Sequence, residues 1–159
     1  MEELKALSLR QKWAWLVARG FKPIENRPVR FAFRGRFLIH ASTSTEPLPG
    51  TTDSRYGSAW IKERLTDSEW AEYLKYEPAY GAIIGAGTVV DCVDSAVEIN
   101  RRYGHQYDVR WYVGPHALIV VNAVVFDEPI PCRGMPGFFV PNFTRDGLGI
   151  LEEQRRKYG

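Results

Sequence analysis

From Gly20 to Arg27 the chain reads Gly-Phe-Lys-Pro-Ile-Glu-Asn-Arg, which puts three charged side chains, Lys22, Glu25 and Arg27, inside six positions. Extended backbone repeats every two residues, so Glu25 and Arg27 share a face if this segment is a strand. Two readings are open for such a pair. It can be a structural ion pair that pins one element to another. It can also be a recognition device, in which Lys22 and Arg27 present cations to phosphate while Glu25 orients Arg27 or accepts hydrogen bonds from a base edge. If the protein turns over a substrate, Lys22 and Glu25 are the acid–base candidates.

The surroundings of this octapeptide favour an anionic partner. Residues 1–40 contain nine Lys or Arg against three Asp or Glu, in a chain whose net charge is only +2. That cluster is interleaved with Trp13, Trp15, Phe21, Phe31 and Phe33, a combination suited to phosphate or a nucleobase. Helical spacing sets Lys12, Trp15 and Arg19 on one side of a helix, and Arg34 and Arg36 flank a tight bend at Gly35. The expected nucleic-acid surface therefore comprises Arg10, Lys12, Trp15, Arg19, Lys22, Arg27, Arg34, Arg36, His40 and Ser42. Trp111 and Tyr112, if on a strand, point one inward and one outward, and either stacks a base or fills the core.

Other chemistries find no template. The sequence has no G-x-S-x-G, P-loop, H-E-x-x-H or zinc-type Cys–His spacing, which argues against those hydrolases and NTPases. Gly81, Gly85 and Gly87 lie inside an apolar run rather than between a strand and a helix, so they are not a dinucleotide fingerprint. His40, His105 and His116 are scattered and read as structural; Cys92 and Cys132 read as reduced and buried. Asp91 is a second carboxylate for the site if the fold brings it there, and otherwise a turn or cap group. No metal and no cofactor is expected.

At 159 residues, 45% apolar and 25% charged, the sequence is that of an ordinary globule, expected as one domain over residues 1–159 with a loop and helical insertion at 43–80. No apolar run approaches the ~20 residues of a membrane span, and Met1-Glu2-Glu3 is not a signal-peptide start, so a cytoplasmic location without membrane contact is expected.

The elements that must position these residues follow from pattern. Ala6–Leu9, Phe21–Arg27, Phe37–Ala41, Gly81–Val93, Val109–Val113, Ala117–Phe126 and Phe138–Val140 read as strands, the fifth and sixth paired around Gly114-Pro115. A helix carries Trp13, Leu16 and Val17 and stops at Gly20; further helices are expected over Ser58–Leu65, Asp67–Tyr76 capped by Asp67, a segment capped by Asp94 or Ser95 to Arg102, and Leu148–Tyr158. Residues 43–57 read as loop. Short helices among strands of this length favour α+β with a partly closed mixed barrel over a parallel sheet.

Taken with LSLRQ at 7–11, WAWL at 13–16, RGRFLIHAS at 34–42, GAIIG at 81–85 and DCV at 91–93, the G-x-K-x-x-E-x-R pattern of Gly20, Lys22, Glu25 and Arg27 resembles the ASCH domain, the activating-signal-cointegrator homology family of the PUA-like superfamily. Lys12 stands where related sequences usually have proline. The resemblance implies a PUA-like barrel with a cleft lined by the motif, and binding of RNA or single-stranded DNA. A bacterial branch deacetylates N4-acetylcytidine with a Lys and a Thr of the motif and a distant Glu. Here the Lys is Lys22 and the Thr position holds Glu25, so the alternative implied is an amidohydrolase of that type, or a ribonuclease, using Lys22 and Glu25.

Overall fold

In the computed structural model, which describes residues 4–44, 56–105 and 107–159, the elements run β1 (Lys5–Leu9), α1 (Gln11–Ala18), β2 (Ile24–Arg27), β3 (Gly35–Ala41), α2 (Ser58–Lys62), α3 (Asp67–Lys75), β4 (Ala82–Val93), α4 (Ala96–Tyr103), a 3₁₀ turn (Val109–Trp111), β5 (His116–Pro131), β6 (Phe138–Phe139) and α5 (Arg145–Tyr158). The strands form one mixed sheet in the order β2-β5-β4-β3-β1-β6, parallel only between β1 and β3. This is the α+β half-barrel with flanking helices that the sequence implied. Its two longest strands, β4 and β5, lie side by side in the middle of the sheet, where apolar runs are covered on both faces.

The sheet curls because those central strands are irregular. Their register shifts between Ile83 and Gly85, Ala86 and Thr88, and Val89 and Asp91, while Asn122 takes a φ of 51°. A Cβ on Gly85 would collide with the Val124 carbonyl oxygen, so glycine is what permits this approach. Curling brings the edge strand β2 to the C-terminal end of β1, where Arg27 Nη2 donates to the Ser8 carbonyl at 2.8 Å. A side chain thus bridges a seam that no backbone ladder closes among the described residues.

One sheet face buries Leu7, Leu9, Phe37, Ile39, Leu118 and Val120 against Ala14 and Val17 of α1. The other face sets Leu38, Ile83 and Ile130 against Leu151 of α5. A third cluster gathers around Trp111 with Leu16, Ile24, Ile61, Ile99 and Ile119. Both cysteines are free and buried. No helix among the described residues is long and apolar enough to cross a membrane.

Several expected elements are corrected. The strand expected from Phe21 starts only at Ile24, because Gly20 and Phe21 are committed to closing α1 and Pro23 has no N–H to give a ladder. The strand expected over Val109–Val113 is a 3₁₀ turn capped by Asp108, whose carboxylate accepts from Arg110 N at 3.1 Å, so no hairpin forms at Gly114-Pro115. Thr66, not Asp67, caps α3, in a capping box with Glu69. Helix α5 begins at Arg145 rather than Leu148 because Thr144 caps it, and Gly147 and Gly149 had hidden that first turn. β5 runs on past Phe126 to Pro131. Of the loop expected at 43–57, residues 45–55 lie outside the described residues.

Candidate functional site: a charged cleft at the barrel seam

Lys22 enters the site because of how α1 ends. Gly20, at φ 76°, sends its N–H to the Val17 carbonyl at 3.0 Å, and Phe21 N reaches the Leu16 carbonyl at 3.1 Å. These two bonds form a Schellman motif, which turns the chain back across the helix end. Lys22 is left only 3% exposed, its Nζ donating to the Ile24 carbonyl at 2.5 Å and lying 3.4 Å from Glu25 Oε1. Burial holds its ammonium below the usual pKa; Glu25 opposes that shift and Arg27 adds to it.

Glu25 and Arg27 share the face that strand periodicity requires. Glu25, 8% exposed, spends its second oxygen on Arg27 Nε at 3.1 Å. Arg27 therefore has Nε on Glu25 and Nη2 on the Ser8 carbonyl, with Nη1 left without a partner among the described residues. Two cations share one carboxylate. Between them Asn26 points the other way and clamps the neighbouring loop, giving Nδ2–H to the Trp111 carbonyl at 3.0 Å and accepting from Val113 and Gly114 N–H at 2.8 and 3.0 Å.

The triad lines a cleft of ≈ 550 Å³, a volume in the range of small-ligand sites. Ser8, Leu9 and Arg10 at the end of β1 form one wall, and the aromatic residues Trp13, Tyr56 and Trp60 contribute to the lining. Trp13 sits edge-on to Trp60 at 6.1 Å, with Lys22 Nζ 5.1 Å from the Trp13 ring centroid. Arg10 is exposed. A flat apolar surface beside a fixed guanidinium and a carboxylate matches a planar, polar-edged ring bearing or flanked by negative charge. Among the described residues no group of His, Cys, Asp or Glu is placed to hold a metal ion.

Of the residues expected at the site, Arg10, Lys22, Glu25 and Arg27 meet in this cleft. Lys12 stands beside it, donating to the Tyr56 carbonyl at 3.1 Å and lying 4.7 Å from the Trp13 ring centroid. Trp15 and Arg19 belong elsewhere: Trp15 stacks on Tyr76 at 4.8 Å, and Arg19 pairs with Glu72 at 2.5 Å over the Phe21 ring. Arg34 binds the Phe31 and Phe33 carbonyls and lies 3.8 Å from Asp91; Arg36 binds the Asn122 carbonyl at 2.6 Å. Asp91 itself is taken by Tyr103 and Arg102, and does not line the cleft. His40 and Ser42 line a separate depression across β1. Trp111 is fully buried in the core, and Tyr112 is half-buried.

Trp13, Tyr56, Trp60 and Val113 carry no local signal that marks them as cleft residues. Trp13 falls on the stripe that reads as core, and Trp60 lies in α2, far along the chain, where only tertiary packing returns it to α1. Asn26 had a signal in its place within the octapeptide, opposite Glu25 and Arg27 in the strand period.

No curated protein matches the chain. Among solved structures, the crystal structure of ASCH from Zymomonas mobilis is similar at 14% identity, covering 95% of this chain and 94% of that one with a TM-score of 0.48. The sequence profile of the ASCH domain matches residues 7–124, a span running from β1 through all of the motif and most of the sheet. The chain belongs to the ASCH domain family.

Proposed function

We propose that the protein binds single-stranded or locally unpaired nucleic acid in the seam cleft, with residues 1–159 acting as one module. Members of the family are generally associated with nucleic acid. The observation that carries the reading is Arg27: two of its three nitrogens are fixed by Glu25 and Ser8, and the third stays unpartnered among the described residues in a cleft lined with tryptophan. A guanidinium so held loses little entropy on meeting a phosphate or base edge. Arg10 adds a second cation, and Trp13 and Trp60 offer ring surface for stacking.

Fluorescence anisotropy with labelled single-stranded RNA tests it. Arg27→Ala is expected to weaken binding at least tenfold, the size of a lost charge-assisted contact, and affinity should fall steeply with log salt. Binding by a folded Arg27→Ala protein equal to wild type would remove the cleft from the reading.

A second reading rests on Lys22. Burial lowers its pKa, which enlarges the neutral amine fraction near neutrality, and Glu25 stands 3.4 Å away in the same cleft. An amine and a carboxylate in that relation suit acid–base work on an acylated base such as N4-acetylcytidine. Acetate release from that nucleoside, falling at least a hundredfold in Lys22→Ala, would place catalysis ahead of binding.

A further inference from the structure

Across β1 from the cleft lies a second depression, of ≈ 320 Å³, and Ser8 lines both. We infer that this depression is a ribose–phosphate subsite, in which Arg133 takes a backbone phosphate and the Ser8 hydroxyl oxygen accepts from a ribose 2′-hydroxyl, making the occupant RNA rather than DNA. The inference rests on the nucleic-acid reading of the cleft and extends it by at least one nucleotide.

The position of one proton decides what Ser8 accepts. His40 is buried, with Nε2 at 2.7 Å from the Cys132 carbonyl and Nδ1 at 2.9 Å from Ser8 Oγ. A carbonyl only accepts, so Nε2 carries the hydrogen. Burial pushes the imidazole below its ordinary pKa, which leaves Nδ1 as the bare acceptor of a neutral ring. Ser8 must then donate to His40, and toward any ligand its oxygen offers lone pairs alone. A phosphate oxygen meets repulsion there, while a hydroxyl group finds an acceptor. In a single strand the 2′-hydroxyl is the group that distinguishes RNA from DNA.

The phosphate partner stands next to the same hydrogen bond. Arg133 follows Cys132, is exposed and lines the depression, and its guanidinium has no hydrogen-bond or ion-pair partner among the described residues. This contrasts with Arg34, Arg36, Arg64, Arg102 and Arg110, each held by a carbonyl or carboxylate. Gly134 then packs on the pair. A Cβ there would lie 2.7 Å from His40 Cε1 and 3.2 Å from Ser8 Oγ, so the absence of a side chain is what lets this backbone stand beside the pair without filling the space in front of it. Ser42 also lines the depression, and its buried hydroxyl has no partner among the described residues.

Binding of two random-sequence single-stranded octamer pools, one RNA and one with the same bases on 2′-deoxyribose, decides the matter. The wild type is expected to bind RNA about tenfold more tightly, the worth of one hydrogen bond to a group otherwise left unpaired. Ser8→Ala should bring that ratio to about one by weakening RNA alone. Arg133→Ala should weaken both pools severalfold and make the salt slope shallower by about 0.7, one phosphate contact on a single strand. Equal wild-type affinity for the two pools, or unchanged binding and salt slope in Arg133→Ala, overturns the subsite even if Ser8→Ala fails to fold. Either result, with binding still lost in Arg27→Ala, leaves the cleft reading standing. No binding of either pool by the wild type overturns both.

Discussion

The seam cleft and the start of β3 are both rich in charge from the same basic first quarter of the chain, yet they use it in opposite ways. At the seam, Lys22 and Arg27 divide one carboxylate between them, and Lys22 and Glu25 are nearly inaccessible to water. At the start of β3, Arg34 and Arg36 are spent on backbone carbonyls, and Asp91 gathers Arg102, Tyr103 and the edge of Arg34. The first arrangement leaves donors aimed at an open cleft. The second ties each guanidinium through Nη1 to nearby acceptors, away from the cleft. Charge density along a sequence does not separate these cases; the number of acceptors within reach and the exclusion of water do.

The sharpest way to break this comparison is to remove the shared carboxylate. Glu25→Leu leaves two cations facing each other in a nearly dry place, and a loss of about 3–5 kcal/mol in urea unfolding is expected. Adding Lys22→Met should restore part of it, since an apolar pair of similar volume tolerates that environment. Arg102→Ala, removing an exposed partner of Asp91, should move the unfolding midpoint far less. If Glu25→Leu costs no more than Arg102→Ala, the seam is a surface ion pair and the contrast dissolves.

Nucleic-acid binding gives the next largest separation. Arg34→Ala and Arg36→Ala should leave affinity within about twofold of wild type, because both guanidiniums lie outside the cleft and are tied to backbone carbonyls there, against the tenfold or greater loss expected for Arg27→Ala. A loss at Arg34 or Arg36 equal to that at Arg27 would spread the binding surface to the start of β3 and end the distinction.

The seam also depends on the turn that delivers Lys22. Gly20 has open space where a Cβ would go but a φ of 76°, so Gly20→Ala is expected to cost about 1–2 kcal/mol from backbone conformation alone. Gly149, in α5 with equal space and no positive φ, is the control: Gly149→Ala should be stabilising by up to about 1 kcal/mol. Thermal unfolding of the two variants reads the difference. A harmless Gly20→Ala would mean that Lys22 reaches the cleft without the helix-end reversal.

The same contrast between local and tertiary control separates the legible parts of the sequence from the rest. The Gly20–Arg27 octapeptide carried its geometry in its own spacing: a left-handed residue, a reversal, then a two-residue period that sets Glu25 beside Arg27. The β4 run announced a central strand because its apolar residues demand cover on both faces. Local pattern failed where a tertiary partner decides. Val109–Val113 is as β-prone as any strand here, but Asp108 caps a turn, and Asn26, more than eighty residues earlier, clamps Trp111 and Val113. Trp60 is placed at the cleft by tertiary packing, on Trp13 and Trp111 among others. Trp15 and Arg19, correctly placed together on a helix face, meet Tyr76 and Glu72 of the 43–80 segment, which no helical wheel contains.

The smallest expected effect is also the one that sets the two regions at opposite ends of the pH scale. Burial would raise the Asp91 carboxyl, but hydrogen bonds from Tyr103, Arg102 and the Cys92 N–H outweigh it and hold the group below its ordinary 3.8. A carboxylate with a depressed folded pKa contributes stability above its unfolded value and loses it as pH falls through the folded one. The wild type should therefore shed a little stability below about pH 3.8 that Asp91→Asn does not. Lys22 runs the other way. Its folded pKa lies below 10.5, so between that value and 10.5 the unfolded chain holds more protons and stability climbs as pH rises. Tyr103 and Tyr107, both raised above 10, oppose this climb, because the unfolded chain ionises first. The difference between wild type and Lys22→Met cancels the tyrosines and isolates the lysine. Urea unfolding of that pair across the alkaline range should show the wild type gaining on the variant with pH; a flat difference would mean that Lys22 is solvated, and with it the buried half of the comparison would fall.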